Sequence, residues 1–204
     1  MKYLEQEFKT GMVLNHIINQ QYDMILGMDI GHGESVLYLY YKDENGNWFV
    51  KRLQMNQADN ATIPTHIHYD EKGNVSIGHI AKGKKGFISY FKVEPSLWNT
   101  PADLEGHTFY TLLEDYIREL VKDTCQFNTN LANVKTDKLL IAVGCPSSDA
   151  WTNDKSTAEY KNLIAKATGH PLEHISILPE STAAILSVIY GNKGNIDFSK
   201  GILI

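Results

Sequence analysis

Asp29-Ile30-Gly31-His32-Gly33 ends one apolar run and opens the next. Glycines at 31 and 33 let the backbone turn sharply and leave no Cβ to hold an anion away from its N–H groups. A carboxylate just before such a turn suits a hydrated Mg2+, an ion that keeps most of its waters and takes one or two protein carboxylates. The pairing fits the charged tail of a nucleotide. The same run also reads as a plain hairpin turn following a strand.

Four other groups invite chemistry. His66 and His68 lie two apart and share a strand face, with His79 further along, and they read as a metal pair or as hydrogen-bonded histidines. No Cys or carboxylate completes a metal-ligand set at a recognisable spacing. Lys82-Gly83-Lys84-Lys85-Gly86 is an anion site or a solvated loop. Pro146-Ser147-Ser148-Asp149 lacks the strand-to-helix elbow of a nucleophilic serine and reads better as a helix-capping turn. Tyr90, Phe91 and Trp98 suit a core more than a ligand grip.

The chain that must position these groups has 204 residues, enough for one large domain or two small ones with a real core. Its 24 acidic and 19 basic side chains leave a net charge of -5, which argues against nucleic acid as the main partner. Mean hydropathy is -0.28, and no window approaches the ~18 uncharged apolar residues of a bilayer helix, so no membrane partner is expected. Glu5 and Glu7 stand where a signal peptide would be basic, and a cytoplasmic location is expected. Cys125 and Cys145 are far apart without CxxC spacing, so they read as reduced packing residues.

Residues 1–22 carry apolar positions at loosely helical spacing and are expected to form an N-terminal helical extension ahead of a domain over 23–204. Met24–Ile30, Val36–Tyr40 and Trp48–Leu53, joined by tight turns, predict an antiparallel meander. Thr62–Tyr69 alternates as a strand and returns over Asn74–Ile77. A stripe at Phe109, Leu112, Leu113, Tyr116, Ile117, Leu120 and Val121 predicts a helix. Beyond it, Lys138–Val143 reads as strand, Lys155–Thr168 as helix closed by Gly169, Ile175–Leu178 as strand, Ser181–Tyr190 as helix and Gly201–Ile204 as the start of another strand. A three-strand meander followed by α-β crossovers predicts an α/β, ribonuclease-H-like mixed sheet with helices packed on it.

Several of these pieces also carry a family resemblance. Met24–Ser35 resembles the first phosphate loop of the actin and heat-shock chaperone ATPase superfamily: an apolar strand, Asp, an apolar residue, Gly, then small residues. Ile63-Pro64-Thr65 and Val75–Lys82 are similar to the chaperones' P-S-x-V and V-G-x-x-A-K segments. Ile141–Pro146 is similar to their V-T-V-P strand end, and Leu178–Ile185 to N-E-P-T-A-A-A. These segments fall in the family's order across residues 23–204. Two threonines of the chaperone loop are replaced by His32 and Gly33, a form nearer to actin, and Glu34 adds a negative charge beside the loop.

The resemblance implies ATP or ADP with Mg2+ as ligand. In it Asp29 positions the Mg2+ through water, and the amides of Gly31, His32 and Gly33 hold phosphate. Lys82 matches the lysine that reaches the terminal phosphate, and Glu180 the carboxylate that orders the attacking water. The superfamily's cleft lies between two similar lobes, so the resemblance also implies the first lobe alone, ending before a second phosphate loop. Such a lobe is expected to have little ATP hydrolase activity by itself, to pair with a second lobe in a longer chain, to self-associate as a fragment, and to serve a client or partner protein. A non-catalytic interaction module and a filament-forming actin relative with the same fold are the alternatives.

Overall fold

The computed structural model describes residues 22–42, 45–46, 48–53, 62–102, 104–127 and 136–183. Of the expected helical extension over 1–22 only Tyr22 is among them, of the expected helix Ser181–Tyr190 only 181–183, which are helical, and the expected strand at Gly201–Ile204 lies outside them. Alternation sets the first strands: in β1 (Met24–Ile30), Leu26, Met28 and Ile30 are buried while Gly27 and Asp29 face the other way. β2 (Glu34–Lys42) pairs with it antiparallel from Met24↔Tyr41 to Ile30↔Ser35, and β3 (Trp48–Arg52) pairs antiparallel with β2.

The expected strand at Thr62–Tyr69 is two strands in two sheets. β4 (Ile63–Pro64) pairs with the start of β2, whereas β5 (His66–Tyr69) joins β6 (Val75–Ile77) and β7 (Ile88–Ser89) in a separate three-stranded sheet. The break is at Thr65, whose N–H donates to Gly33 O at 2.8 Å and so pins the chain to the β1–β2 turn. Helix α1 (Gly78–Lys82) follows β6. It starts on Gly78 at φ 63, where a Cβ would meet Ile63 Cγ2 at 2.7 Å.

Helix α2 (Phe109–Phe127) buries Leu112, Leu113, Tyr116, Ile117 and Leu120, the predicted stripe. β8 (Leu139–Cys145) then pairs parallel with β1, and a crossover through α3 (Asp149–Thr152) and α4 (Asp154–Thr168) leads to β9 (Ile175–Pro179), parallel with β8. Asn153 Oδ1 caps α4 by accepting from Ser156 N at 2.9 Å, and Gly169 closes the helix at φ 69. The main sheet runs β3-β2-β1-β8-β9, antiparallel on one side of β1 and parallel on the other. This is the expected ribonuclease-H-like fold.

The core lies between this sheet and helices α2 and α4. Its centre is aromatic: Trp98 meets Trp151 at 5.7 Å and Tyr160 at 5.9 Å between ring centroids. Phe91 packs 5.4 Å from Tyr116. Phe91 and Trp98 are therefore core, as their types suggested, while Tyr90 is exposed. Among the described residues no helix is long and apolar enough to cross a membrane.

Candidate functional site

Three parallel strands, β1, β8 and β9, end together, and ligands of open α/β sheets bind outside such carboxyl ends. Asp29 lies at the end of β1, Gly144 and Cys145 at the end of β8, and Glu180 immediately after β9, in the first turn of a helix over 180–183. A Cβ built on Gly144 would meet Glu180 Cγ at 3.7 Å and Asp29 Oδ1 at 3.9 Å. The two carboxylates thus flank one glycine, on the rim of a cleft of about 400 Å3 that Tyr38 and Leu178 also line.

The turn beside them is braced from behind. Gly31 N donates to Glu34 O at 2.9 Å, and a Cβ on Gly31 would stand 2.3 Å from that oxygen, so only glycine fits there. A chain of hydroxyls holds the turn from the core. Tyr116 OH donates to Ser35 Oγ at 3.0 Å, Ser35 Oγ lies 2.9 Å from Thr65 Oγ1, and Thr65 Oγ1 donates to Gly31 O at 2.9 Å. Tyr116, Ser35 and Thr65 are fully buried. Burial pushes the Tyr116 phenol up to about 12, so it stays a donor at neutral pH. The Gly31 amide, one of three expected to face an anion, is therefore bonded inside the turn, whereas those of His32 and Gly33 have no partner among the described residues. Gly31 shapes the turn.

The lysine beside the carboxylates is Lys92. Its Nζ lies 3.6 Å from Glu180 Oε1 and 5.5 Å from the centroid of a Trp151 ring, and the side chain is only 3% exposed. Burial lowers its pKa, against the raising influence of Glu180 and then Asp29. Lys82 is exposed at the end of α1, where its charge is felt by His66, and no ion pair joins it to Asp29 or Glu180 among the described residues. Helix α1 packs on β4, β5 and β6, whereas Lys92 follows β7 on the way back to the core. Lys92 stands in Phe91-Lys92-Val93, where a cation between apolar residues is the sequence signal of its burial.

Glu180 is also placed from below. Ser147 Oγ accepts from Ser181 N at 3.0 Å and donates to Ser181 Oγ at 2.8 Å. The turn Pro146–Asp149 does precede a helix, but Ser148 makes no side-chain cap, and Ser147 instead ties β8 to the segment carrying Glu180.

Asp29 and Glu180, two carboxylates across a glycine, are a donor set that would suit a hydrated Mg2+, an ion that keeps most of its waters. Among the described residues no three His, Cys, Asp or Glu group as a metal site, His66, His68 and His79 included. His66 packs on Phe87, with ring centroids 4.9 Å apart, and burial lowers its pKa.

No protein-family profile matches this sequence, and no curated protein does. Among solved structures, the chain is similar to MreB 5 of Spiroplasma citri bound to AMPPNP, with 15% identity and a TM-score of 0.47. The alignment covers 80% of this chain and 40% of that one. The chain thus spans less than half the length of the structure it matches.

Proposed function

We propose that this chain is a nucleotide-binding lobe of the actin and heat-shock ATPase type, taking Mg-ATP or Mg-ADP at the carboxyl ends of β1, β8 and β9. The observation that carries this reading is the buried Lys92 ammonium, held at Glu180 and within the electrostatic reach of Asp29 beside an open cleft. A cation withdrawn from water at such a place gains most when a polyanion arrives.

In this reading Asp29 holds the hydrated metal, and the amides of His32 and Gly33 donate to phosphate oxygens. Mg2+ when bound supplies positive charge against the phosphates. Lys92, in the role the sequence alone gave to Lys82, places its ammonium against the terminal phosphate, and Glu180 orients the attacking water. Tyr116, Ser35 and Thr65 hold the turn so that its free amides need no reorganisation on binding. As one lobe, the chain contributes one wall of a cleft completed by a second lobe, and hydrolysis by it alone is slow.

The test is thermal unfolding of the chain with and without Mg-ATP, each variant compared with its own ligand-free transition. A ligand at 100 times its Kd adds about 2.7 kcal/mol, a rise of roughly 5–10 °C for a protein of this size. Asp29→Ala and Lys92→Ala should abolish the rise and Lys82→Ala should keep it. No rise in the unaltered chain favours a non-catalytic module, the reading that Glu34, exposed beside the turn, supports.

A further inference from the structure

Six glycines among the described residues take the left-handed conformation, Gly46, Gly73, Gly78, Gly86, Gly106 and Gly169. Among the described residues only one non-glycine does so, Tyr90, at φ 59. A Cβ makes this conformation unfavourable, so a bulky L-residue there calls for a reason.

The fold does not supply that reason. The kink at 90 lets the chain leave β7, send Phe91 fully into the core and deliver Lys92 to Glu180, and glycine would make the same kink without strain. The tyrosine side chain is not held by burial, being 67% exposed, more than any other large apolar or aromatic residue described. It makes no hydrogen bond among the described residues. Its one aromatic neighbour is His32, at the apex of the β1–β2 turn, with ring centroids 6.0 Å apart and planes tilted by 39°. The strained tyrosine thus packs against the β1–β2 turn that follows Asp29, two residues from the buried lysine.

We infer that Tyr90 is a specificity-determining residue of the nucleotide site: with His32 it forms a rim that contacts the terminal phosphate, so that the chain prefers a nucleoside triphosphate to a diphosphate. The inference rests on the function proposed above. The phenol O–H and an imidazole N–H are donors suited to phosphate oxygens, and His32 belongs to the turn to which the proposed function assigns phosphate.

The experiment is calorimetric titration of the unaltered chain, Tyr90→Gly and Tyr90→Phe with Mg-ATP and with Mg-ADP. Glycine suits the backbone at 90, so Tyr90→Gly should melt no lower than the unaltered chain, which separates loss of the rim from loss of the fold. The expected result is a Kd ratio of ADP to ATP that falls about tenfold in Tyr90→Gly, the size of one hydrogen bond to a charged group. Tyr90→Phe should lose most of the same preference. An unchanged ratio in Tyr90→Gly overturns the inference while leaving the site intact. Equal weakening toward both nucleotides also overturns it, because the ring would then touch a part that they share. An unaltered chain that binds neither nucleotide overturns the proposed function and this inference together.

Discussion

The Lys92–Glu180 pair is asymmetric, and the asymmetry fixes what its disruption does. Lys92 is 3% exposed and Glu180 is 49% exposed. Removing the carboxylate by Glu180→Gln leaves an ammonium buried with only Asp29 nearby, whereas removing the ammonium by Lys92→Met leaves a carboxylate that water can reach. Breaking one side of a fully buried pair costs about 3–5 kcal/mol. Half-exposure of Glu180 and the second carboxylate reduce this to roughly 1–2 kcal/mol, since a solvated ion pair is worth ~1 kcal/mol or less. At about 2–4 °C per kcal/mol for a chain of this length, Glu180→Gln should melt roughly 2–8 °C lower. Lys92→Met removes the penalty of burying the ammonium and fills its space with an apolar chain, so it should melt at the same temperature or higher. The double variant should match Lys92→Met, because glutamine then faces no buried charge. Chemical unfolding of the four proteins, read as a double-mutant cycle, measures the coupling. Additive effects, with the double variant as unstable as Glu180→Gln, would refute the assignment of Lys92 to a buried cation site.

Three further outcomes follow from the same geometry. Thr65→Val removes the hydroxyl between Gly31 O and Ser35, leaving buried polar groups without partners at about 1–3 kcal/mol; urea unfolding should show the loss, and Mg-ATP binding should weaken as the turn loosens. Gly31→Ala forces a Cβ to within 2.3 Å of Glu34 O, so the turn must open; a stability loss of roughly 1–3 kcal/mol is expected by thermal unfolding, with Gly33→Ala, which meets nothing within 4 Å, much milder. In alkaline solution the unfolded chain binds more protons at Lys92 than the folded one, so stability should rise with pH from the lowered folded pKa of Lys92 toward the ordinary 10.5. Tyr116, raised from 10.0 to about 12, has the opposite sign: the unfolded chain loses that proton first, and stability should fall above about pH 10. Urea unfolding across pH 8 to 11 measures both, and Lys92→Met should flatten the rise.

Local chemistry was sufficient for much of this protein. Alternating apolar residues in Met24–Ile30 and the 3.6-residue stripe of Phe109–Val121 each bury one face, and burial of that face is what forms the strand and the helix. The order of such elements then implied the mixed sheet, because strands joined by tight turns pair antiparallel and strands joined by helices pair parallel. The positions of Asp29 and Glu180 at the carboxyl ends of β1 and β9 follow from that order of elements, whereas their meeting across Gly144 does not. The partner of Lys92 was not legible, because its apolar neighbours Phe91 and Val93 hint at burial but not at which carboxylate it meets. A cation is drawn into the interior only where distant segments bring carboxylates and an aromatic face to one point. Lys92 meets Glu180 across 88 positions of chain, and that encounter exists only once the sheet has closed around it. The bonding of the Gly31 amide, the hydroxyl chain from Tyr116 and the left-handed Tyr90 are likewise products of packing: each is decided by which backbone lies a few ångströms away.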